Sequence, residues 1–518
     1  MIAPLHLMFR TGIRALAVAI ALAFASSLVC KAADRINHEG RILGTLPVLT
    51  NALLFNTPEA DAVVSAMQIF PRDNAWNEDI SRHPLLSNSA AMMTQITNDL
   101  ATNRQTLRPF HEMNFILVPD AQPRVPIAWD LYGDESDPSP YPFATNTPVE
   151  GWPRETGAAS LTAWQRNDDG GDRHSIAVMP GSNIVWETWR TVYLTSSPTN
   201  WHAANGARFN MSSNTLRPLG WTSGDAAGLS MFAGLVRYDE CQRGMVEHAV
   251  RLVVKRSRQQ YIYPASHQAG SVPASTVNVP AMGQRLRLKS SFNIPTNWTV
   301  EEKAVLRGLK KYGAIVADNG GFFSISVTPD QRFAANAFSH LSTIGVTNFE
   351  VIQTTVATTG PRSPGAPLVH AGEDQTVPPG ANATLNAAVT YTNAAPLNFA
   401  WKLYAGPTNV LFSATNQTNT VVSFTTPGAY TFLFGAENGT HSPAYDVVVV
   451  TVGPSLRINI ARSGTNLTFN WRGGAPPFRL ERATSFAPTN WSAVLTTNGT
   501  NATLPLDANA SFFRVLGQ

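Results

Sequence analysis

The stretch TTGPRSPGAP, residues 358–367, divides this chain of 518 residues into two parts of different composition. Its Gly and Pro content is typical of a linker. Nine of the twelve tryptophans precede it, whereas the chain after it is rich in Thr, Asn, Ala, Pro and Val. A chain divided in this way folds as separate units, each with its own core. We therefore expect a large domain at 34–357 and smaller units after the linker.

The first 33 residues predict a signal peptide. Arg10 and Arg14 precede an apolar stretch of about 14 residues, which is too short for a comfortable membrane span. Ala32 offers a small residue near a cleavage point, and the alternative is a lipoprotein anchored through Cys30. No later stretch is long and apolar enough to cross a bilayer. The chain is therefore expected to be secreted, either extracellular or periplasmic, with no membrane span.

Cysteine content and charge narrow the class of protein further. If Cys30 leaves with the signal peptide, Cys241 has no possible partner, so the fold must be stabilised by the size of its core. We expect Cys241 to be an unpaired buried thiol rather than a nucleophile. The net charge of +3 and the 14% of charged residues give no basic footprint for nucleic acid. We expect no nucleic-acid partner, no cofactor, and a monomer.

Residues 368–453 contain short apolar segments separated by turn residues at regular spacing, which predicts a β-sandwich. The stretches HAGEDQTVPPGANATLNAAV and TTPGAYTFLFGAENG, together with Trp401, resemble a PKD or related immunoglobulin-like module. That resemblance implies a spacer or weak adhesion module rather than a catalytic unit. Residues 455–518 repeat the pattern in a smaller unit. Their stretches LRINIARSGTNLTFNWRGG and FFRVLG resemble small fibronectin-like modules at the C-termini of secreted bacterial proteins.

The large domain has a mixed pattern. TVEEKAVLRGLKKYG, residues 299–313, predicts a helix with a capping box of Thr299 and Glu302 and with Gly313 at its C-terminal end. We expect further helices at 330–343 and 87–100, and short strands between 113 and 290. The predicted fold class is therefore mainly β with a few helices (α+β) in the large domain, followed by two β-sandwich modules.

One segment of the large domain is too long for a simple connection. YGDESDPSPYPFATNTPVEGWPRE, residues 132–155, is rich in Pro and carries no strong strand or helix pattern. Loops of this length in compact domains are usually functional or disordered.

The stretch DRHSIAVMPGSNIVWETW, residues 172–189, predicts a β-hairpin with PGSN as its turn. Pairing of Met179 with Ile184 places His174 and Glu187 on one face as diagonal neighbours, separated by roughly 7 Å. The plainer interpretation is a surface ion pair worth under ~1 kcal/mol. Other ionisable and indole side chains follow within a hundred residues, and they favour a functional site.

Hydrolysis of a glycosidic bond requires two carboxyl groups across a sugar, and indole rings provide flat apolar surfaces for sugar faces. Glu187 is the leading catalytic candidate, with Asp225 or Asp239 as its partner. The predicted catalytic residues are Glu187, His174, Asp225, Asp239 and His202. The predicted substrate-binding residues are Trp189, Trp201, Trp221, Arg237, Tyr238 and His248.

Two other chemistries use the same residue types. A polysaccharide lyase would need a His or Tyr base and a cation, which His174, Tyr238, Arg237 and His248 could supply. A metal site with a bound water as nucleophile could be built from His174, Glu187 and His202, with His248 as an optional further ligand. No HxH or HExxH spacing supports the metal site, so we expect none.

Several candidates also have a simple structural interpretation. Asp225 could cap a short helix, His248 alternates with apolar residues as a core histidine would, and Asp318 belongs to a turn before Gly320. The concentration of candidates, rather than any one residue, carries the functional prediction.

The stretches AWNEDIS, DRHSIAV, WHAANGARF and KKYGAIVADNGG resemble a group of secreted bacterial proteins that often carry appended sandwich or sugar-binding modules. The resemblance supports one domain over about 70–350 and transfers no catalytic residue. From the module architecture we expect a secreted carbohydrate-active enzyme that hydrolyses an extracellular polysaccharide. The alternatives are a polysaccharide lyase and a non-catalytic glycan-binding or adhesion protein.

Overall fold

The structure is a computed structural model that describes residues 36–354, except 158 and 169, and residues 366–516 with short gaps. The gaps are 393–394, 440, 442, 454–455, 474–475, 484–490 and 507–511. The predicted signal peptide and most of the predicted linker lie outside the described residues. Within the described ranges, no helix has the length and apolar character needed to cross a bilayer.

Two mixed sheets form the framework of the large domain. One has the strand order β1-β3-β5-β6-β9 and the other β14-β11-β12-β10-β13-β2, while a small third sheet has the order β4-β8-β7. The strands are β1 (Leu53–Leu54), β2 (Leu107–His111), β3 (Ile116–Leu117), β4 (Ile127–Trp129), β5 (Ser175–Met179), β6 (Ile184–Trp189), β7 (Val192–Tyr193), β8 (Trp201–Ala203), β9 (Asn205–Asn210), β10 (Val250–Val254), β11 (Arg285–Leu288), β12 (Ala314–Asn319), β13 (Phe323–Val327) and β14 (Phe349–Val351).

The described helices all belong to the large domain. They are α1 (Pro58–Ala66), α2 (Ser89–Asp99), α3 (Leu161–Gln165), α4 (Tyr238–Arg243) and α5 (Val300–Lys311). Short 3-10 segments lie between the helices at Ala75–Asn77, Thr102–Arg104, Gly133–Glu135 and Phe232–Gly234, and two more follow α5 at Ser339–Thr343 and Val346–Asn348.

Two of the three predicted helices are confirmed. Helix α2 lies within the predicted 87–100, and α5 begins at the predicted capping box of Thr299 and Glu302. The helix predicted at 330–343 is wrong, because only its end forms a 3-10 turn. Asp330 instead accepts hydrogen bonds from the backbone and guanidinium of Arg332, and such local bonds compete with helix formation.

The predicted hairpin is confirmed, with Met179 paired to Ile184 and Ile176 paired to Glu187. Both of its faces are covered, however. Ile176 and Val178 belong to the main core, whereas Ala177 and Trp186 belong to a second core beside the third sheet. The face that carries Glu187 is therefore turned into the domain instead of toward solvent.

The module after the linker consists of strands divided among three small sheets around a core that includes Trp401, Phe432 and Phe434. The strands are β15 (Leu368–His370), β16 (Gln375–Val377), β17 (Ala383–Asn386), β18 (Ala388–Thr390), β19 (Asn398–Ala405), β20 (Leu411–Phe412), β21 (Asn419–Ser423), β22 (Gly428–Glu437) and β23 (Ala444–Val452).

The C-terminal unit has two three-stranded sheets packed around Phe469, Trp471 and Leu480. Its strands are β24 (Arg457–Ser463), β25 (Asn466–Arg472), β26 (Phe478–Ala483), β27 (Ser492–Thr497), β28 (Asn501–Pro505) and β29 (Phe512–Leu516). The predicted fold class, α+β followed by β modules, is confirmed.

The first described residues contact both the large domain and the module at 368–453. Ile36 packs with Leu433 and Val447 in a small apolar cluster, and the backbone N–H of Ile42 donates to Tyr404 Oη at 2.9 Å. On the other side, Arg41 forms a 2.9 Å ion pair with Glu247 of the large domain. The segment therefore joins two units that the sequence pattern separates only by a linker.

Gly313, directly after α5, offers a test of the helix end. Its φ is +69°, and an added Cβ would collide with the Leu286 carbonyl oxygen, whereas Gly220, with φ +88°, has open space around it. We expect Gly313→Ala to destabilise the domain by about 3 kcal/mol or more, and Gly220→Ala by about 1 kcal/mol from backbone strain alone. Chemical denaturation of both variants measures the difference, and equal losses would contradict the predicted collision.

Candidate functional site

A buried arginine gathers carboxylates from three parts of the large domain. Arg251, whose side chain is only 3% exposed, binds both oxygens of Asp225 through Nε and Nη2 at 3.0 and 2.9 Å. Its Nη2 also lies 2.8 Å from Asp318 Oδ2, and its Nη1 lies 3.7 Å from Glu112 Oε1. An unpaired guanidinium at this depth would be costly, so these partners are what permit its burial.

Neighbouring strands of the six-stranded sheet position this group. Arg251 is on β10, Asp318 is on β12, and Ser326 is on β13, while Glu112 follows β2 directly. Ser326 Oγ accepts from Arg251 Nη1 at 3.1 Å and donates to Glu112. We refer to Glu112, Asp225, Arg251, Asp318 and Ser326 as the Arg251 cluster.

A histidine–carboxylate pair adjoins the Arg251 cluster. His174 Nδ1 lies 2.8 Å from Glu150 Oε2, and Nε2 lies 2.9 Å from the Gly224 carbonyl oxygen. Burial alone would lower the pKa of His174, but the charge and hydrogen bond of Glu150 outweigh it and raise the pKa to about 9. His174 is therefore an imidazolium at neutral pH, and both of its ring nitrogens donate.

The pair is tied to the Arg251 cluster through the backbone. Gly151 N donates to the Glu112 carbonyl oxygen at 2.6 Å, directly after Glu150 in the chain. Glu150 belongs to the long Pro-rich loop at 132–155. That loop therefore brings a charged side chain to this part of the domain.

Burial is the main cause of the unusual acidities in the Arg251 cluster. It raises the pKa of Glu112 to about 7, although the charge of Arg251 opposes the shift. Burial likewise raises the pKa of Asp318 to about 6, again against the opposing charge of Arg251. Two carboxyl groups that change protonation near neutral pH are thus held beside one guanidinium.

The charges of the site are arranged by depth. Asp225, Arg251 and His174 are buried, whereas the side chains of Glu112 and Asp318 are 27% and 25% exposed. Water and a ligand therefore meet carboxylates first, and the two cations lie behind them.

An aromatic pair lies at the exposed edge of the same region. The exposed side chain of Asp172 raises the pKa values of both His174 and Asp318, and it accepts from Trp189 Nε1 at 3.3 Å. The Trp189 ring in turn lies 6.0 Å from the ring of Tyr132. Of the predicted substrate-binding residues, Trp189 thus lies at this edge.

Glu187, the leading catalytic prediction, is enclosed. Its carboxylate accepts from Ser230 Oγ at 2.7 Å and from the backbone N–H groups of Met231 and Phe232 at 2.9 and 3.0 Å. It therefore satisfies the start of the 3-10 turn at Phe232–Gly234, and it has no exposed surface. Burial raises the pKa of Glu187 to about 7 despite these hydrogen bonds. The structure places it in a stabilising position and away from solvent.

Four more predicted residues form a separate buried network around α4. Arg237 Nη2 lies 2.9 Å from Glu240 Oε2, and His248 Nε2 lies 3.1 Å from Glu240 Oε1. Asp239 pairs with Arg243 at 2.5 Å, while Tyr238 packs on Phe333. Burial raises the pKa of Glu240, but the charges of Arg237 and His248 lower it to about 2.

The remaining predicted residues occupy other places. His202 contacts Asp130 at 3.0 Å and Ser197 at 2.8 Å, next to the second core that contains Trp201. Trp221 is half-buried beside the guanidinium of Arg217. Of the five predicted catalytic residues, the structure places His174 and Asp225 near Arg251, and the charge of Asp225 also acts on the enclosed Glu187.

The structure therefore does not gather all of these residues in one place, and the predicted set lacks several residues that do meet. The prediction omitted Glu112, Glu150 and Arg251, and it interpreted Asp318 as a turn residue. Arg251 did carry a usable signal, because a charged residue inside the apolar stretch HAVRLVVKR must find buried partners. The sequence around Glu112 and around Glu150 carries no motif or periodic pattern that would single out either residue.

The residues predicted for a metal site do not meet. His174, Glu187 and His202 each have different partners, as described above. In the part of the chain that the structure covers, no group of three or more His, Cys, Asp or Glu side chains is arranged to hold a metal ion. Cys241 is buried, and burial raises the pKa of its thiol well above its usual range.

Comparison with known proteins concerns the module after the linker. Residues 371–452 match a family model for a PKD domain. Together with its strands, this shows a PKD/Ig-like module, as the resemblance predicted. No curated protein sequence matches the chain.

The similar solved structures include the PKD domain of the KIAA 1837 protein, which is 24% identical over 17% of this chain and 90% of that chain, with a TM-score of 0.14. A fragment of titin that comprises domains A168–A170 is 11% identical over 32% of this chain and 73% of that chain, with a TM-score of 0.15. The N-terminal Ig1-2 module of a Drosophila receptor protein tyrosine phosphatase is 12% identical over 29% of this chain and 96% of that chain. Its TM-score is also 0.15.

The enclosed position of Glu187 leads to a stability prediction. Glu187→Ala leaves three buried donors without an acceptor and opens a cavity, so we expect a loss of about 3 kcal/mol in the free energy of unfolding. Glu187→Gln keeps one acceptor oxygen and should lose less. Denaturant unfolding measures both losses. A fully stable Glu187→Ala variant would argue against the capping role.

Proposed function

We propose that the large domain hydrolyses glycosidic bonds of an extracellular polysaccharide, with Glu112 as the general acid and Asp318 as its carboxylate partner. One observation carries the proposal. Two partly exposed carboxyl groups, with pKa values near neutrality, lie on either side of the buried Arg251 guanidinium.

The spacing of the two groups suits this chemistry. Each contacts a different terminal nitrogen of the same planar guanidinium, so their nearer oxygens lie within about 9 Å of each other. This upper limit admits both separations that glycosidases use, about 5–5.5 Å in enzymes that retain configuration and roughly 6.5–9.5 Å in enzymes that invert it.

The two acidities suit separate roles. With a pKa of about 7, Glu112 keeps a proton in a large fraction of molecules at neutral pH and can give it to the leaving oxygen. Asp318 has the lower pKa, about 6, and its carboxylate contacts Arg251 and accepts from Asn319 N at 2.7 Å. It is the better candidate for the ionised partner.

The aromatic edge supports a sugar as the substrate. Trp189 and Tyr132 are partly exposed beside Asp172, and ring faces stack on the apolar faces of sugars. The predicted signal peptide and the PKD/Ig-like module are in keeping with a secreted enzyme that acts on a polymer. We include in this proposal that the chain is exported from the cell.

The lyase alternative has less support. Elimination from a uronic-acid polymer needs a cation beside the substrate carboxylate. Arg251 and the adjoining His174 are buried and already bound to acidic partners, while the groups of the Arg251 cluster that reach solvent are themselves carboxylates. A uronate would meet like charge at this position.

A non-catalytic glycan-binding or adhesion protein is the second candidate, because a PKD/Ig-like module is compatible with binding. The full-length chain without its signal peptide should be tested on a panel of neutral and acidic polysaccharides. New reducing ends without ultraviolet absorbance would support hydrolysis, and reducing ends with absorbance would indicate elimination. Retention on a polymer without either product would favour binding alone.

The pH dependence follows from the two acidities. Activity requires protonated Glu112 and ionised Asp318, so we expect it to fall above about pH 7 and below about pH 6. Initial rates measured across pH should therefore give a bell-shaped profile. An optimum outside that interval would contradict the assignment of Glu112 as the acid and Asp318 as its partner.

Substitution tests the same two residues. Glu112→Gln and Asp318→Asn should each lower kcat/KM by about 100-fold or more. Glu59→Gln, which neutralises an exposed carboxylate on α1, serves as the control and should keep full activity. Thermal unfolding of each variant separates loss of chemistry from loss of fold, and an active, folded Glu112→Gln variant would overturn the role of Glu112.

A further inference from the structure

We propose that a cavity in the large domain binds a sugar residue that carries a carboxylate, such as a uronic acid. The cavity measures about 400 Å3, and its lining includes Phe143, Gln165, Arg166, Tyr193, Asn200 and Trp201. It lies beside the third sheet and is separate from the Arg251 cluster. The inference goes beyond the proposed hydrolysis, because binding here does not depend on the chemistry there.

The wall of the cavity is a fixed set of aromatic rings. Trp201 packs edge-to-face on Phe143 at 5.3 Å and on Tyr193 at 5.1 Å between ring centroids. Trp201 and Phe143 are buried, whereas Tyr193 is half-buried and reaches the cavity. Because its neighbours hold it in place, Tyr193 offers a preformed surface for the apolar side of a sugar ring.

The cation of the cavity, Arg166, has no acidic partner among the residues that the structure describes. The Arg166 guanidinium is exposed and lies 5.9 Å from the Tyr193 ring centroid. Among the described residues, no carboxylate lies within ion-pair distance of Arg166, in contrast to Arg217, Arg243 and Arg251. A guanidinium fork beside an aromatic ring matches a carboxylate borne by a sugar.

The segment that carries Arg166 is anchored. Gln165 Nε2 donates to the carbonyl oxygens of Thr145 and Thr147 at 2.9 and 2.8 Å, which fixes the end of α3. Asn200 Nδ2 similarly donates to Leu194 and Ser197 carbonyl oxygens on the opposite loop. Both sides of the cavity are therefore held by side-chain hydrogen bonds, and a ligand would order little more than the Arg166 side chain.

Consecutive residues connect the cavity to the histidine–carboxylate pair. Trp164 Nε1 donates to the Glu150 carbonyl oxygen at 2.9 Å, and the next residue, Gln165, lines the cavity. The acidic Arg251 cluster repels a carboxylate, whereas Arg166 attracts one. The two places together suit a polymer with a mainly neutral backbone and acidic residues at intervals.

A titration of the full-length chain tests the proposal. Calorimetry would compare an oligosaccharide that contains glucuronate with its carboxyl-reduced, neutral counterpart. We expect the wild type to bind the acidic form more tightly, and Arg166→Gln to raise its Kd about tenfold while binding of the neutral form is unchanged. Tyr193→Ala should weaken both. Arg457→Gln, which removes an exposed charge from the C-terminal unit, is the matched control and should bind as the wild type does.

Equal affinity for the acidic and neutral forms, or an unchanged Kd in a folded Arg166→Gln variant, would overturn the proposal. Thermal unfolding checks the fold, and the exposed position of Arg166 predicts little change. Glu112→Gln separates the two ideas, because it should keep the acidic-sugar binding even as hydrolysis is lost. If the wild type binds the acidic sugar but hydrolyses no polysaccharide, the proposed hydrolysis is contradicted and the proposed binding site is supported.

Discussion

The burial of Arg251 in the middle of β10 is the interaction on which the site depends. A guanidinium in this position requires several oxygen partners at once, and it obtains them from a loop, two adjacent strands and the end of a third. Ser326 and Glu112, which meet there, are 214 residues apart in the chain. The need to compensate one charge thus holds distant carboxylates in a single place, and their burial there is the main reason why the pKa values of Glu112 and Asp318 are raised.

The pairing of the buried cations with carboxylates also determines the chemical character of the surface at the Arg251 cluster. Once the cations are enclosed by Asp225 and Glu150, the oxygens that face outward belong to acids that retain part of their proton near neutral pH. A region of this kind can exchange protons with a ligand but offers it little positive charge. The exposed Arg166 beside Tyr193 has the opposite character, and the short helix that precedes it joins the two regions. A polymer with mixed charge is the ligand that would use both.

Local patterns predicted local structure well. Alternation along residues 172–189 yielded the hairpin and its pairing, and the capping box at Thr299 marked the start of α5. The spacing of strands and turns also identified the module at 371–452. The site was harder to predict. The alternation of side chains along a strand shows which residues share a face, but not what covers that face. Glu187 and Trp201 lie on covered faces, whereas Glu112 and Glu150 acquire their importance only when separate strands and loops meet.

The segment that begins at Ile36 has a practical consequence for work with truncated chains. Its apolar side chain is shielded by Leu433 and Val447, and Glu437 compensates Arg82 on the same side of the large domain. A fragment cut before the PKD/Ig-like module would present those groups to water. Such a fragment would therefore differ from the whole chain at the segment that begins at Ile36, which would lose the apolar partners that now cover it.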